Sequence, residues 1–336
     1  VSYHGVKGIP VEPDLPKSKH ETPEAPAFQT VFGSLACEIA RNRNDTVAIT
    51  AAMREGTGLV PYAKEFPDRY FDVGIAEGHA VTFASGMATQ NVRPIVAIYS
   101  TFLQRAFDHI VHDAAIQHLP VIFCLDRAGI AGEDGPTHHG TLDIAYLRCI
   151  QDMIVTAPAN GNEFRHLLYT ALNQSKQPFA IRYPKTGSVV FDERGQAELI
   201  PIGQWETMRN GKDVTILCVG PFVYDALKAA DKLKKLNINC EVVNCRFIKP
   251  MDEGYLNDIL KKFDTVVTIE EGVKTGGFGE GVSAWLMQNG FKGHVKVLSL
   301  PDEFVEHGPR SVTLEKFGLS ATGIENTIRD IRVNTK

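Results

Sequence analysis

The side chains in this sequence that could carry chemistry lie at the ends of short apolar runs, or in the loops after them. Each of these runs predicts a buried strand. They are carboxylates, aromatic rings, cations and a histidine: Glu77, Tyr99, Phe102, Arg105, Arg127, Asp134, His138, Arg182 and Lys185. In α/β folds, ligand-binding groups collect at the carboxyl ends of parallel strands. A packed core needs none of these groups, so the pattern predicts a binding crevice at that edge of a sheet.

Glu77 occupies the position around which the rest of the pattern is arranged. The apolar run 73–76 predicts the end of a buried strand, and the small residues 79–87 predict a helix directly after Glu77. Negative charge at a helix start is favoured by the helix dipole alone. Glu77 by itself therefore favours a structural explanation over a functional one, and the residues downstream reverse this preference.

The rest of the chain reads as two α/β units. Apolar runs alternate with amphipathic stretches, which predicts right-handed βαβ units and mainly parallel sheets covered by helices on both faces. The expected architecture is two three-layer α/β/α domains. The proline-rich stretch 1–27 is predicted to be a linker or strap, 28–190 the first domain, 191–212 a linker and 213–336 the second domain.

Some local predictions can be tested by the structure. Asn162 is expected to cap a helix over 163–172. The run 240–247 predicts one strand, and the tail 314–333 predicts one helix. The glycine cluster 276–281 opens a helix, so its backbone amides can hold an anion. The same glycines also permit close packing between a helix and a sheet, and we expect this second use.

Composition excludes several classes of function. The chain has 336 residues, a net charge of −5 and six cysteines, with 43% hydrophobic and 22% charged residues. This acidic balance argues against a nucleic-acid partner. The cysteines show no metal-ligand spacing and several lie in apolar runs, which is typical of free thiols in a reducing compartment. No apolar run reaches about 18 residues, and no signal core is visible, so we expect a cytoplasmic protein without membrane contact.

Five strings carry a resemblance to a known family: FDVGIAEGHAVTFASGMA, PIVAIYSTFLQRAFDHIVHDAAIQHLPVIFCLDRAGIAGEDGPTHHG, RYPKTG, CRFIKPMDE and LPDEFVEHG. They resemble the thiamine-diphosphate enzymes of the transketolase superfamily, in particular the 1-deoxy-D-xylulose-5-phosphate synthases, over nearly the whole chain. The resemblance implies a thiamine-diphosphate-binding fold followed by a transketolase C-terminal domain. The family's amino-terminal domain, which holds the diphosphate and Mg²⁺ with a GDG-type motif, has no matching motif here. We therefore expect the metal to be held outside this chain.

The resemblance also implies roles for the cofactor-site residues. Glu77 would be catalytic, hydrogen-bonding the cofactor's pyrimidine ring and assisting its imino tautomer. Phe102 would stack on that ring and Tyr99 would border it, reaching both cofactor and substrate. His138 would be the second catalytic group, exchanging protons near neutral pH. Gly78 stands where the family more often has glutamine, which we expect to leave the chemistry unchanged.

The remaining site residues are implied to bind substrate: Arg105, Arg127, Asp134, Arg182 and Lys185. A cation after a strand end can clamp a phosphate or a carboxylate, and Asp134 can orient a hydroxyl. The family usually has arginine where this chain has Lys185, so the contact there would be a point charge and not a bidentate fork. Four other histidines are interpreted as structural: His109, His112, His118 and His139.

The implied reaction condenses pyruvate, with decarboxylation, and glyceraldehyde 3-phosphate to 1-deoxy-D-xylulose 5-phosphate. This is the first step of non-mevalonate isoprenoid precursor synthesis, and it also serves thiamine biosynthesis. The expected partners are the amino-terminal domain or fragment of the same enzyme and a second copy in a homodimer. Two alternatives remain: the beta subunit of a 2-oxo-acid dehydrogenase, and a non-catalytic domain pair kept for dimerisation or regulation.

Overall fold

Strands and helices alternate along the chain, as the apolar pattern predicts. The computed structural model describes residues 25–334, so the predicted linker 1–27 lies outside the described residues except for its last three. The strands are β1 (Thr46–Thr50), β2 (Tyr70–Asp72), β3 (Arg93–Tyr99), β4 (Ile122–Asp126), β5 (Ile154–Thr156), β6 (Phe179–Arg182), β7 (Glu206–Arg209), β8 (Val214–Cys218), β9 (Cys240–Asn244), β10 (Phe247–Lys249), β11 (Thr265–Val273) and β12 (His294–Leu300).

The α-helices of the same region are α1 (Phe28–Asn42), α2 (Val60–Glu65), α3 (Glu77–Ala88), α4 (Ser100–Leu103), α5 (Phe107–His109), α6 (Asp143–Arg148), α7 (Gly161–Gln174), α8 (Phe222–Lys234), α9 (Glu253–Lys262), α10 (Phe278–Gln288), α11 (Arg310–Lys316) and α12 (Ala321–Asn334). A π-helical stretch, Ile110–Ala115, continues α5. None of the helices in residues 25–334 is long and apolar enough to cross a membrane.

The first sheet has seven strands in the order β10-β5-β6-β4-β3-β1-β2. Its pairs are parallel, except for the antiparallel pair of β10 and β5. Strands β1, β4 and β6 are buried along their whole length. Such continuous apolar strands are typical of parallel sheets with helices on both faces. The carboxyl ends of β3, β4 and β6 therefore share one edge of the sheet.

The second sheet has five strands in the order β12-β11-β8-β9-β7. The first three pairs are parallel, and β7 closes the edge in an antiparallel pair with β9. With two mainly parallel sheets and helices between the strands, the predicted two-domain α/β architecture is confirmed. The exact domain boundaries remain a prediction.

The predicted strand 240–247 proved to be two strands in different sheets. Strand β9 ends at Asn244 in the second sheet, and β10 begins at Phe247 at the edge of the first sheet. The chain crosses between them at Cys245 and Arg246, where the Arg246 backbone oxygen accepts a bond from the Ala157 amide. Apolar character runs through both strands, so hydrophobicity alone could not show the crossing.

Three further local predictions were wrong. Asn160, not Asn162, caps α7: its side chain accepts from the Glu163 amide, while Asn162 accepts from the Asp192 amide. The predicted tail helix is divided between α11 and α12 at Gly318, whose φ of +70° ends the first helix. The run 73–76 is a connection and not a strand end, since Ile75 is 79% exposed.

Candidate active site

Glu77 begins helix α3, directly after the connection that leaves β2. Asp72 at the end of β2 shapes this connection, because its carboxylate accepts from the Ala52 and Gly74 amides. Gly74 has φ of +70°, a conformation that glycine adopts without strain. The turn brings Glu77 to the edge of the sheet, where its side chain is 2% exposed.

The Glu77 carboxylate is paired with Arg105. The Arg105 guanidinium Nη1 donates to Glu77 Oε1, and the Arg105 side chain itself is 55% exposed. Within residues 25–334, the structure gives the Glu77 side chain no other hydrogen-bond partner, so its second carboxylate oxygen is open to a ligand. Arg105 thus contacts the predicted catalytic residue, and its contact with substrate stays a prediction.

Aromatic rings and cations form a continuous row beside Glu77. The Tyr99 and Phe102 rings are stacked with centroids 5.8 Å apart and planes at 16°. The Arg105 guanidinium carbon lies 5.0 Å from the Phe102 centroid, and the Arg127 guanidinium carbon lies 3.8 Å from the Tyr99 centroid. His138 packs edge-on against Phe102 at 5.4 Å. The structure therefore brings together five of the predicted site residues in one cluster.

Arg127 is nearly buried in this cluster. It follows β4 with φ of +58°, an unusual conformation for a residue with a side chain. Its Nη1 donates to the Gly56 carbonyl at 2.9 Å, to Asp126 Oδ1 at 2.9 Å and to Gln29 Oε1 at 3.3 Å. These contacts hold the guanidinium over the Tyr99 ring. Strained backbone held by surrounding contacts is common at functional sites.

Asp134 and Lys185 form an ion pair beside Arg127, and these three residues are called the mouth of the site. The Lys185 Nζ lies 2.6 Å from Asp134 Oδ2, and both side chains are more than one-third exposed. Partial burial acts to raise the pKa of Asp134, but the hydrogen bond and charge of Lys185 outweigh this effect and lower it. The Asp134 carboxylate is thus ionised at neutral pH, and Lys185 is available to solvent and to a charged ligand.

The structure does not bring Arg182 to the mouth. Its guanidinium Nε donates to Asp143 Oδ2 at 2.8 Å and its Nη2 donates to the Glu271 carbonyl at 3.0 Å. The side chain is 5% exposed and that of Asp143 is fully buried. Arg182 therefore ties the first sheet to β11 of the second. Two of its hydrogen-bonding groups, Nε and Nη2, are committed to this tie, so the substrate contact at Arg182 stays a prediction that this geometry disfavours.

Two histidines interpreted as structural have clear packing roles. His139 Nδ1 accepts from the Ala131 amide, and Nε2 lies 3.2 Å from the Glu306 carbonyl. His109 fills the space beside Gly78: a Cβ atom at Gly78 would lie 2.5 Å from His109 Cε1. The missing side chain at position 78 is thus replaced by an imidazole from α5, which sequence reasoning did not foresee.

The amides of the glycine cluster bind a carboxyl group of the chain itself. The buried Glu270 carboxylate accepts from the Phe278 and Gly279 amides at 2.7 and 2.8 Å. Desolvation raises the pKa of Glu270 to about 7, although the two amide hydrogen bonds oppose the rise. These amides at the start of α10 are therefore not free for an external phosphate.

Asp126 is a residue of the site that sequence reasoning missed as a functional group. It ends β4, is 1% exposed and contacts Arg127 through Oδ1. The sequence did contain a sign of this. A carboxylate at the end of an apolar run is expected to be buried, and because burying its charge is costly, it needs a partner such as the adjacent Arg127.

Comparison with known proteins identifies the family. The family model described as "Transketolase, pyrimidine binding domain" matches residues 24–188, and "Transketolase, C-terminal domain" matches residues 203–324. The chain belongs to the transketolase family. The first match contains strands β1 to β6 and the cluster around Glu77, and the second contains the five strands of the second sheet together with β10 of the first.

The curated relatives are synthases that are about twice as long as this chain. The 1-deoxy-D-xylulose-5-phosphate synthase of Aquifex aeolicus is 48% identical over 330 residues, which are 98% of this chain and 52% of the relative. That of Syntrophus aciditrophicus is 45% identical over 98% of this chain and 51% of its own length. The chain thus spans about half the length of the curated relatives it matches.

A solved structure of similar extent is described as "Split gene transketolase, inactive beta4 tetramer". It is 28% identical to this chain, with a TM-score of 0.80, and the match covers 91% of this chain and 98% of that one. The two-domain unit is therefore found as a separate chain in another transketolase.

Proposed function

We propose that this chain is the pyrimidine-binding and carboxy-terminal part of a 1-deoxy-D-xylulose-5-phosphate synthase. The observation that carries the proposal is the site itself: a buried Glu77 beside a stacked aromatic pair, with Arg127, Asp134 and Lys185 at one mouth. The identity to synthases along almost the whole chain supports it.

The residues fit the pyrimidine end of thiamine diphosphate. Glu77 has an open carboxylate oxygen that can bond a ring nitrogen, and the partly buried Phe102 ring can stack on a flat heterocycle. The Tyr99 ring is stacked against the Phe102 ring and supports it. When bound, the cofactor supplies the electron sink for decarboxylation and carbon–carbon bond formation. In this proposal Mg²⁺ and the diphosphate are held by an amino-terminal domain of the complete enzyme.

The mouth of the site suits a phosphorylated aldehyde and a 2-oxo acid. Arg127 and Lys185 can hold the phosphate of glyceraldehyde 3-phosphate, and Asp134 can accept a hydrogen bond from its hydroxyl. His138, packed on Phe102, is placed to move a proton near the reacting carbon. Pyruvate would bind nearer Glu77. Arg182 serves in this proposal to fix the second domain against the first.

We further propose that this unit works in the cytoplasm as part of a homodimer, and that it is inactive alone. The split-gene transketolase supports the last point, since its chain of the same extent is described as inactive. Activity would then require an amino-terminal fragment that carries a diphosphate site.

The test is reconstitution. The chain is mixed with the separately expressed amino-terminal half of a synthase relative, with thiamine diphosphate and Mg²⁺, and pyruvate-dependent formation of 1-deoxy-D-xylulose 5-phosphate is measured. We expect product from the mixture and none from either part. Transfer of acyl groups to lipoyl domains with a co-purifying alpha subunit would instead show the dehydrogenase, and no activity with any amino-terminal half would favour a non-catalytic pair.

Substrate choice is tested with Arg127→Ala in the reconstituted enzyme. Loss of one charge-assisted contact costs roughly 1.5–3 kcal/mol, or about ten- to a hundredfold in kcat/KM for glyceraldehyde 3-phosphate. Unphosphorylated glyceraldehyde should be used almost as well as by the wild type, since it lacks the group that Arg127 holds. Equal losses with both aldehydes would assign Arg127 to another part of the site.

A further inference from the structure

Asp126 is a buried carboxyl group with one oxygen bonded and one oxygen bare. Oδ1 accepts from Arg127 Nη1 at 2.9 Å, whereas Oδ2 is buried and has no hydrogen-bond partner among residues 25–334. A bare, ionised oxygen in the interior costs far more free energy than a protonated one. Desolvation raises the pKa of Asp126 to about 7, although the charge and hydrogen bond of Arg127 oppose the rise.

The surroundings of Asp126 contain several other ionisable groups. Two cations act on it, Arg127 by contact and Lys185 at longer range. Besides Asp134, Glu55 and His138 of the same cluster, its ionisable neighbours are two phenols and a thiol, and desolvation raises the pKa of each of these three above its usual value: Tyr99, Tyr183 and Cys124. All three are therefore neutral at pH 7. The Tyr183 hydroxyl is likewise buried without a partner in the described part of the chain.

Arg127 connects this carboxyl group to the mouth of the site. The hydrogen bonds that the structure gives its guanidinium within residues 25–334 all leave from Nη1. Nε and Nη2 are therefore free to donate to an anion. A dianion at Arg127 would bring negative charge close to Asp126, and like charges favour the protonated form of a carboxyl group.

We propose that Asp126 is a positioning residue that shares the charge of Arg127 with the substrate phosphate, so that a phosphate dianion binds together with one solvent proton taken up by Asp126. The inference rests on the proposed function, in which Arg127 holds the phosphate. Binding and protonation then assist each other, because coupling between two sites is reciprocal. The ionised Asp126 holds Arg127 in place when the site is free, and the protonated form releases its charge to the ligand.

The experiment uses sulfate as the probe, since it is a dianion that does not itself titrate near neutral pH. Its binding to the chain is measured by calorimetry between about pH 6 and about pH 8, around the Asp126 pKa of about 7, at constant ionic strength. Buffers with different heats of ionisation report the protons taken up. We expect up to about one proton per sulfate, and an affinity that falls roughly tenfold over this range.

Two variants make the result specific. Asp126→Asn should abolish the proton uptake and make the affinity independent of pH. Asp231→Asn is the control: it removes a carboxylate of helix α8 that is 71% exposed and pairs with Arg209, and it should leave the proton uptake as in the wild type. Circular dichroism establishes that both variants are folded, and the wild-type measurement decides the proposal even if Asp126→Asn does not fold.

The outcomes separate the two proposals. Sulfate binding by the wild type without proton uptake, abolished by Arg127→Ala, would overturn the role of Asp126 and leave Arg127 as the phosphate residue. Sulfate binding that Arg127→Ala leaves unchanged would overturn the Arg127 assignment in the proposed function. Proton uptake that persists in Asp126→Asn would place the titrating group elsewhere and also refute the inference.

Discussion

Replacing Arg182 by methionine should destabilise the fold strongly. Substrate recognition should not change, because other residues carry it. The change removes the cation from an ion pair in which Arg182 is 5% exposed and Asp143 fully buried. Asp143 would keep its bond from the Ile144 amide but lose the charge that compensates it. Breaking a buried pair by removing one partner costs about 3–5 kcal/mol, and the lost bond to the Glu271 carbonyl adds about 1 kcal/mol.

The measurement is the free energy of unfolding in urea, followed by circular dichroism. Asp143→Leu combined with Arg182→Met should recover much of the loss, since an apolar pair of similar volume leaves no buried charge. Arg41→Met is the matched control: its ion pair with Glu65 is exposed, with side chains 57% and 38% accessible, and should contribute less than about 1 kcal/mol.

The opposite result would restore the substrate role of Arg182. If Arg182→Met unfolds at the same urea concentration as the wild type, and the reconstituted enzyme shows a higher KM for glyceraldehyde 3-phosphate, the interdomain tie is not what Arg182 is for. The reasoning from burial and hydrogen bonding would then be refuted at this position.

Three further predictions concern other parts of the molecule. Gly78→Ala should cost about 1–3 kcal/mol of stability by clashing with His109, and a second change, His109→Ala, should recover part of it in the same urea assay. Glu77→Gln should lower kcat of the reconstituted enzyme by about 10²-fold or more without changing the melting temperature, and wild-type rates of cofactor proton exchange would contradict the role of Glu77. The pKa of Glu270 is raised from 4.5 to about 7, so the folded state holds this proton more tightly and stability falls as pH rises through that interval; Glu270→Gln should reduce the fall, as measured by unfolding at several pH values.

The α/β class and the location of the site could be predicted because both depend on local pattern. Apolar runs with polar groups at their ends predict parallel strands that share a ligand-binding edge. The structure indeed places Glu77, Phe102 and Arg127 in one cluster. Which strand precedes Glu77 was predicted wrongly, since an apolar connection and a short strand have similar composition.

The remaining errors involve partners that are distant in sequence. An arginine at the end of a strand is typical of a phosphate-binding residue. Only the fold shows that Arg182 is hydrogen-bonded to Asp143 and Glu271. The amides of the glycine cluster have the geometry of an anion site, and the fold supplies Glu270 to it. His109 fills the space at Gly78 for the same reason. A charged group, a set of free amides or an empty space that the sequence suggests for a ligand can thus be filled by another part of the folded chain.

Strand β10 has a consequence for how this protein can be divided. It belongs by sequence to the second unit, yet its backbone covers the edge of β5 in the first sheet, with Phe247 opposite Thr156 and Lys249 opposite Val155. A gene cut between the two units would leave that edge open, and open edges template aggregation. We expect a fragment ending at residue 190 to scatter light where the whole chain stays monodisperse. Between relatives, we therefore expect the two units to be exchangeable only together.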